Sequence, residues 1–298
     1  MRVTLPEAES SHEEELDANF DLSPIQKLYF ECVGDKFNHF NQSVVLRLTR
    51  NITSESLALA VESLMLSHSM LRARFNKIAT GEWKQQISRD ISNSYHFSVT
   101  TTARDQLDSL IETRQKGLDI QNGPIFAVDL FNISDERSQI LSLISHHLAI
   151  DVVSWRIILQ DLEDLLNTGA LKLKSSIPFQ AWSRLQTEHS QQSIPKRLFH
   201  PEDVPNPDFS YWDMVDKPNV YGDTIEDGFE IDTETTLSLL GVCHESLQTE
   251  PVDVFLGAIL QSFHKVFSDR ATVPAVYNEG HGRETWASKL DVSRTVGW

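Results

Sequence analysis

Residues 139–155 read Gln-Ile-Leu-Ser-Leu-Ile-Ser-His-His-Leu-Ala-Ile-Asp-Val-Val-Ser-Trp. The apolar run at the start is typical of a strand that is covered on both faces and is therefore central in its sheet. The apolar spacing over 152–166 predicts a helix. Two histidines, His146 and His147, end the strand, and Asp151 opens the helix. This stretch therefore predicts a central strand and a helix joined by a turn with ionisable side chains.

Strands and helices interleave over the rest of the chain, which predicts a mixed α/β fold. The predicted strands cover 40–48, 71–75, 83–88, 95–100, 125–131, 139–144 and 274–277. One predicted helix begins at Pro24, and the others cover 54–67, 103–116, 152–166, 234–240 and 252–267. We expect an acidic flexible leader at 1–19, an N-terminal lobe at 20–190, an irregular passage at 191–230 and a partial C-terminal lobe at 231–298.

Composition excludes several classes of partner. The chain has 298 residues and a net charge of −17, with 43 acidic against 26 basic residues. Proteins that bind nucleic acids or anionic membranes need basic surfaces, so neither partner is expected. Cys32 and Cys243 are too few for a disulfide framework. With no visible signal peptide and no apolar run long enough to span a bilayer, we expect a cytoplasmic protein.

A second stretch, Asn-Glu-Gly-His-Gly-Arg-Glu at 278–284, also combines glycines with ionisable side chains. Glycine lets the backbone turn sharply and approach a ligand closely. The acidic and basic groups in this stretch are Glu279, His281, Arg283 and Glu284. Together with the histidine pair, it is the part of the sequence that best fits a functional site.

The residues alone leave several interpretations of the histidine pair open. A metal site would need both histidines together with Asp151, but neighbouring strand residues point to opposite faces of a sheet. Asp151 could instead be a helix N-cap and the histidines ordinary core residues. A nucleophile relay is disfavoured because no Gly-x-Ser-x-Gly turn accompanies the pair.

The pattern His146-His147-xxx-Asp151 matches the HHxxxD motif of condensation, cyclization and epimerization domains. The chain most resembles the epimerization branch of the condensation-domain superfamily of non-ribosomal peptide synthetases. Five segments in the family's order support this resemblance: 22–27, 39–43, 145–155, 279–284 and 294–298.

The resemblance implies a two-lobed α/β fold like that of chloramphenicol acetyltransferase, with a tunnel between the lobes. It implies a substrate, an aminoacyl or peptidyl thioester on the phosphopantetheine arm of a partner carrier domain. The reaction would invert the α-carbon from L to D. Because the arm belongs to the carrier domain, the chain would need no cofactor of its own.

Inversion removes a proton from one face of the α-carbon and returns one to the other face, so two acid/base groups should flank it. With this resemblance, we expect Glu279 to be one acid/base group and His147 to be either the other one or the group that stabilises the enolate. Asp151 would brace the loop through an ion pair with Arg283. The remaining supporting residues would be His146, Ser154 and His281.

Epimerization domains continue past the Arg-Thr-Val-Gly-Trp stretch at 294–298, so the resemblance implies that the second lobe is incomplete. Two alternatives remain. A condensation domain would use His147 to form an amide bond and would not need a second acid/base group, and the segment containing Glu279 argues against it. A truncated remnant would at most bind a carrier domain.

Overall fold

The structure, a computed structural model, describes residues 13–34, 37–171, 176–192, 208–218, 220–270, 273–276 and 280–298. These fall into two compact units. The first unit contains residues 1–194 and 280–298, and the second contains residues 195–279.

The first unit is built on a four-stranded sheet. Its strands are β1 (Asn41–Arg47), β4 (Tyr95–Thr102), β5 (Phe126–Ile133) and β6 (Ser138–His146), in the order β1-β6-β5-β4. Strand β6 is antiparallel to both β1 and β5, and β4 is parallel to β5. The prediction that the strand before the histidine pair is central is confirmed. A hairpin of β2 (Ala73–Lys77) and β3 (Trp83–Ile87) forms a second sheet.

Five helices accompany these sheets in the described residues of the first unit. They are α1 (Pro24–Val33), α2 (Ser54–Ser67), α3 (Leu107–Lys116), α4 (Val152–Thr168) and α5 (Phe179–Gln192). At the starts of α1 and α4, nearby side chains hydrogen-bond to the first backbone N–H groups of the helix. Ser23 and Gln26 form a reciprocal capping box at α1, and the Asp151 side chain accepts a hydrogen bond from the Ser154 backbone at the start of α4. Helix α5 was not predicted.

The core of the first unit lies where α2 and α4 pack with the sheet and the hairpin. Its fully buried side chains include Val61 and Leu64 of α2, Ile158 of α4, and Val128 and Leu143 of the sheet. This packing fixes the end of β6 and the start of α4, the two places where the histidines and the aspartate lie.

The part of the predicted flexible leader that is described, residues 13–19, has ordered contacts. The Asp17 backbone donates to Ile87 at 2.8 Å, and its carboxylate accepts from Arg89. The Glu15 backbone donates to Gln180 at 2.7 Å. The flexible leader was expected from its acidic composition, which does not indicate hydrogen bonds to residues far away in the chain.

The second unit is helical where it is described. It contains α6 (Thr233–Ser238), a π-helical turn at Leu239–Cys243, α7 (His244–Leu247) and α8 (Pro251–Val266). Four aromatic rings cluster at the C-terminal end of α8: Phe263 of the helix, Phe267 directly after it, and Tyr211 and Trp212. The short strand predicted at 274–277 is wrong over 274–276, which form no strand, and residue 277 lies outside the described residues.

The division of the chain differs from the expected lobes at its C-terminal end. Residues 280–298 were expected to belong with 231–279, but they group with the first unit. The reason is a set of polar contacts from residues 280–298 to α4 and to the residues before α5. In the described part of the chain, no helix is long and apolar enough to cross a membrane.

Candidate functional site

His146 is the last residue of β6 and is fully buried. Its Nε2 donates to the Phe37 carbonyl at 2.9 Å, and its Nδ1 accepts from the Leu148 backbone at 3.2 Å. Burial disfavours the charged ring and lowers the pKa of His146 to about 4. With both nitrogens occupied by the backbone, this neutral imidazole holds the turn after β6 in place.

His147 begins the single 3₁₀ turn that follows β6 and is only half-buried. Its Nδ1 lies 2.7 Å from the Ile150 carbonyl. Because a carbonyl only accepts, Nδ1 has the proton in this contact, and in the neutral ring Nε2 has the lone pair. The ring stacks on Phe40, with centroids 4.9 Å apart and planes at 16°, and also contacts Trp298 at 4.3 Å. The backbone therefore selects Nε2 as the nitrogen that can accept a proton.

Asp151 is buried at the N-cap of α4. Its Oδ1 accepts from the backbone and the hydroxyl of Ser154, both at 2.7 Å, and from Arg283 Nη2 at 3.0 Å. Its Oδ2 accepts from Arg283 Nη1 and lies 3.1 Å from His281 Nδ1. Burial alone would raise the pKa of Asp151, but the hydrogen bonds from Arg283 and Ser154 outweigh it, so the pKa is lowered.

Arg283 does more than pair with Asp151. Its guanidinium also donates to the carbonyls of Thr295 and Gly297 and to the Ser154 hydroxyl, all at 3.1–3.2 Å. Ser154 in turn accepts from the Gly297 backbone at 3.1 Å. The ion pair expected from the sequence is thus the centre of a network that joins the start of α4 to residues 281–297.

Gly282 shows why glycine is needed in the second stretch. Its φ of +63° lies in the left-handed region that residues with a side chain rarely adopt. Its carbonyl accepts from Trp182 Nε1 and Gln186 Nε2, each at 2.9 Å, so α5 holds this turn. Glu279, the other predicted acid/base group, lies outside the described residues, and its predicted role stays a prediction.

The described contacts of the motif residues bear on one interpretation that the sequence left open. His146 and His147 bond to different backbone carbonyls, and only Asp151 of the motif pairs with residues 281–283. Among the described residues, no group of three or more His, Cys, Asp or Glu side chains is arranged to hold a metal. The N-cap interpretation of Asp151 is confirmed by its hydrogen bond to Ser154.

Several contacts around the site were not predicted. Phe40 and Trp298 both contact the His147 ring, although each lies in a segment that carried the family resemblance. Gln42 of β1 accepts from Trp155 Nε1 at 3.0 Å. Gln26 donates to the Leu148 carbonyl at 2.8 Å and so ties α1 to the histidine turn.

Comparison with known proteins identifies the family. The condensation-domain family model matches residues 18–298. The chain belongs to the condensation-domain family. Its described elements match the fold of that family, the chloramphenicol acetyltransferase-like α/β fold expected from the sequence.

Similar proteins include large fungal enzymes. This condensation-family domain is 48% identical over 288 residues to nonribosomal peptide synthetase 4 of Gibberella zeae, covering 96% of this chain and 4% of that protein. It is 43% identical over 290 residues to nonribosomal peptide synthetase 1 of Aspergillus fumigatus, again covering 96% of this chain and 4% of that protein. The chain therefore corresponds to a small part of these relatives.

Two solved structures share the fold. The epimerization domain from the third module of tyrocidine synthetase B matches with a TM-score of 0.74 and 22% identity, over 96% of this chain and 68% of that one. The condensation domain from Monacolin K polyketide synthase matches with a TM-score of 0.64 and 14% identity, over 84% of this chain and 60% of that one. At these identities the likeness shows the fold and not the reaction.

Proposed function

We propose that this domain epimerizes an aminoacyl or peptidyl thioester held on the phosphopantetheine arm of a carrier domain, inverting the α-carbon from L to D. A base removes the α-proton, the thioester-stabilised enolate forms, and an acid returns a proton to the opposite face. His147 and Glu279 are the two acid/base groups in this proposal. The reaction needs no co-reactant, because the proton that is removed is replaced by another.

The observation that supports this most is the ion pair between Arg283 and Asp151. Arg283 lies four residues after Glu279 in the chain, and Asp151 lies four residues after His147. Their buried, bidentate contact joins Arg283 of the second stretch to the aspartate of the HHxxxD motif. A bidentate arginine–carboxylate pair is geometrically specific, which suits a bracing role.

The tautomer of His147 gives the second support. Its Nδ1–H is held by the Ile150 carbonyl, so Nε2 is the nitrogen available as a base. Efficient general-base catalysis requires a proton acceptor with a fixed orientation, and a backbone carbonyl provides one without a charged partner. The phosphopantetheine arm would come from the carrier domain, as the similarity to peptide synthetases suggests.

Amide-bond formation between two carrier-bound substrates is the second candidate. Membership of the condensation-domain family favours it, and Nε2 of His147 could equally accept a proton from an attacking amine. The two candidates differ in their need for Glu279, which inversion requires as a second acid/base group.

The test is α-deuterium incorporation from deuterated water into an L-aminoacyl carrier protein, followed by mass and chiral analysis of the released amino acid. We expect deuterium uptake and a mixture of L and D products with the unmodified chain. Either His147→Gln or Glu279→Gln should reduce uptake by about 100-fold or more, the usual contribution of an acid/base group.

Matched controls separate chemistry from general damage. Glu163→Gln changes an exposed acidic residue of α4, and His264→Gln changes an exposed histidine of α8. Both should keep the full rate. Amide product with an acceptor carrier, without deuterium uptake, would replace epimerization by condensation. Binding of the carrier with neither product would leave only a carrier-binding role.

A further inference from the structure

Residues 280–298, called here the C-terminal strap, are attached to the first unit at several separate points. Arg283 contacts Asp151 at the start of α4. The Trp286 ring stacks with two rings of α5, at a centroid distance of 5.1 Å from Trp182 and 4.1 Å from His189. Ser176 donates to the Asp291 carbonyl at 3.1 Å just before α5.

The attachment nearest the end of the strap is an ion-pair cluster on α4. Arg294 donates to Asp161 Oδ1, and His68 Nε2 lies 2.8 Å from Asp161 Oδ2. Burial would raise the pKa of Asp161, but the contacts with His68 and Arg294 outweigh it and lower the pKa. The carboxylate is therefore charged and holds Arg294 against the middle of α4.

Every residue between Arg294 and Trp298 is then fixed by its own contact. The Thr295 hydroxyl donates to the Ile177 carbonyl at 2.6 Å, and Val296 joins the buried core. Gly297 lies so close to the Phe179 ring that an added Cβ would be 2.0 Å from it. The Trp298 carbonyl accepts from the Ser23 hydroxyl at 2.9 Å. These contacts fix the backbone up to Trp298 and therefore the position of its ring.

That position is against the imidazole of His147. The centroid of the His147 ring lies 4.9 Å from that of Phe40 and 4.3 Å from that of Trp298. The Phe40 and Trp298 centroids are 5.9 Å apart, so all three rings contact one another. We call this cluster the aromatic corner. Phe40 stacks on the imidazole at 16°, while Trp298 meets it at 37°. Two rings set at different angles oppose both tilting and rotation of the imidazole more effectively than either ring alone.

We propose that Trp298 is a positioning residue for His147, delivered by the Arg294–Asp161 ion pair to complete the aromatic corner and so hold the Nδ1–H of His147 on the Ile150 carbonyl. The positioning role itself does not depend on the proposed function; only the expected change in exchange rate rests on it. Loss of the indole would let the imidazole rotate, weaken the Nδ1–H hydrogen bond and misalign Nε2 with the α-proton.

The test compares Trp298→Ala, Trp298→Phe and Trp286→Ala in the full chain. Trp286→Ala is the matched control, since it removes another indole of the same strap that stacks on α5 instead of His147. The first readout is the ring N–H signal of His147 in histidine-labelled protein, assigned by its disappearance in His147→Gln. The second is the rate of α-deuterium exchange at saturating aminoacyl carrier.

We expect Trp298→Ala to lose the slowly exchanging Nδ1–H signal and to slow exchange by about 10- to 100-fold, the effect of a misplacement on the order of 1 Å. Trp298→Phe should restore the signal and most of the rate. Trp286→Ala should change neither. Circular dichroism and thermal midpoints of Trp298→Ala and Trp286→Ala show whether both chains fold.

The possible results separate the two proposals. A retained Nδ1–H signal in folded Trp298→Ala would overturn the positioning role, and so would an unchanged exchange rate in an active enzyme. If the unmodified chain shows no exchange while Trp298→Ala still loses the signal, epimerization fails and the positioning role stands. If Trp298→Ala does not fold, Trp298→Leu takes its place: a folded Trp298→Leu chain that keeps the Nδ1–H signal would overturn the positioning role.

Discussion

Helices α4 and α8 are nearly equal in length, at 17 and 16 residues, and both have an apolar face. Yet α4 buries seven residues, whereas none of the α8 residues is buried in the described chain. The apolar residues of α8 with substantial exposure include Val252, Phe255 and Ile259. An amphipathic pattern thus predicts a helix and its apolar side, but burial depends on elements elsewhere in the chain.

The two helices also differ in their contribution to the candidate site. Helix α4 is covered by α2 and by the strap, and its N-cap and middle bear Asp151 and Asp161, the two carboxylates that hold Arg283 and Arg294. The buried helix is therefore also the one that organises the candidate site. The first unit should respond strongly to small changes that the second unit tolerates.

The largest expected effect follows from breaking the Arg283–Asp151 pair. Arg283→Met would leave a buried carboxylate without its guanidinium and should reduce the free energy of unfolding by about 3–5 kcal/mol. The matched change in the second unit is Lys217→Met, which breaks an exposed pair with Asp213 and should leave stability unchanged. Urea unfolding of both variants gives the comparison. Equal, small losses would contradict the bracing role of Arg283.

The same side-chain truncation in each helix gives a direct comparison. Ile158 of α4 is fully buried, and Ile158→Ala should cost about 2–5 kcal/mol through lost burial and a cavity. Ile259 of α8 is 47% exposed, and Ile259→Ala should change stability by no more than about 0.5 kcal/mol. A loss at Ile259 as large as the loss at Ile158 would mean that α8 is covered in solution.

Sequence patterns predicted the parts of the first unit whose signals are local. The apolar run before His146 and the spacing after Asp151 indicate β6 and α4 because the residues that form each element are neighbours. Helix α5 was missed because its 14 residues are mostly polar and its buried side chains, Phe179 and Trp182 among them, are few. Its role in holding Gly282 could not be read from the sequence.

The contacts that shape the site are long-range, and this is why they escaped prediction. Arg283 and Asp151 are 132 residues apart in the chain, and only the family resemblance suggested that they pair. No local pattern indicates that Phe40 and Trp298 meet at His147 or that Arg294 reaches Asp161. These contacts also explain why residues 280–298 group with the first unit and not with the residues that precede them.

The buried His146 should make stability depend on pH. Its pKa is about 4 in the folded chain against 6.5 in the unfolded chain, so below pH 6.5 the unfolded chain binds a proton that the folded chain excludes. Stability from this group is complete above pH 6.5 and is lost as the pH falls toward 4, by about 3 kcal/mol in all. Unfolding measured from pH 7 to pH 4 should show this loss.

His146→Gln is the comparison for this titration. It should be less stable than the unmodified chain at pH 7, because the hydrogen bonds to Phe37 and Leu148 are changed, but its stability should fall less between pH 6.5 and 4. Asp151 and Asp161 also lose stability as the pH falls, because their pKa values are lowered in the folded chain, but these losses are common to both proteins. Parallel pH profiles of the two proteins would show that His146 is not the titrating group.

The smallest expected effects come from one pair of glycines, and they should have opposite signs. An added Cβ at Gly297 would lie 2.0 Å from the Phe179 ring, so Gly297→Ala should destabilise the strap by about 1–3 kcal/mol through overpacking. At Gly257 in α8 nothing lies within 4 Å of an added Cβ, and Gly257→Ala should stabilise by up to about 1 kcal/mol through helix propensity. Thermal unfolding distinguishes the two. The same pair of variants also tests the strap. A shift of the backbone at Gly297 would move the neighbouring Trp298, so Gly297→Ala should weaken the Nδ1–H signal of His147, while Gly257→Ala should leave it intact. A stable Gly297→Ala chain with an unchanged signal would show that the strap does not need its close approach to α5 to hold Trp298 on the imidazole.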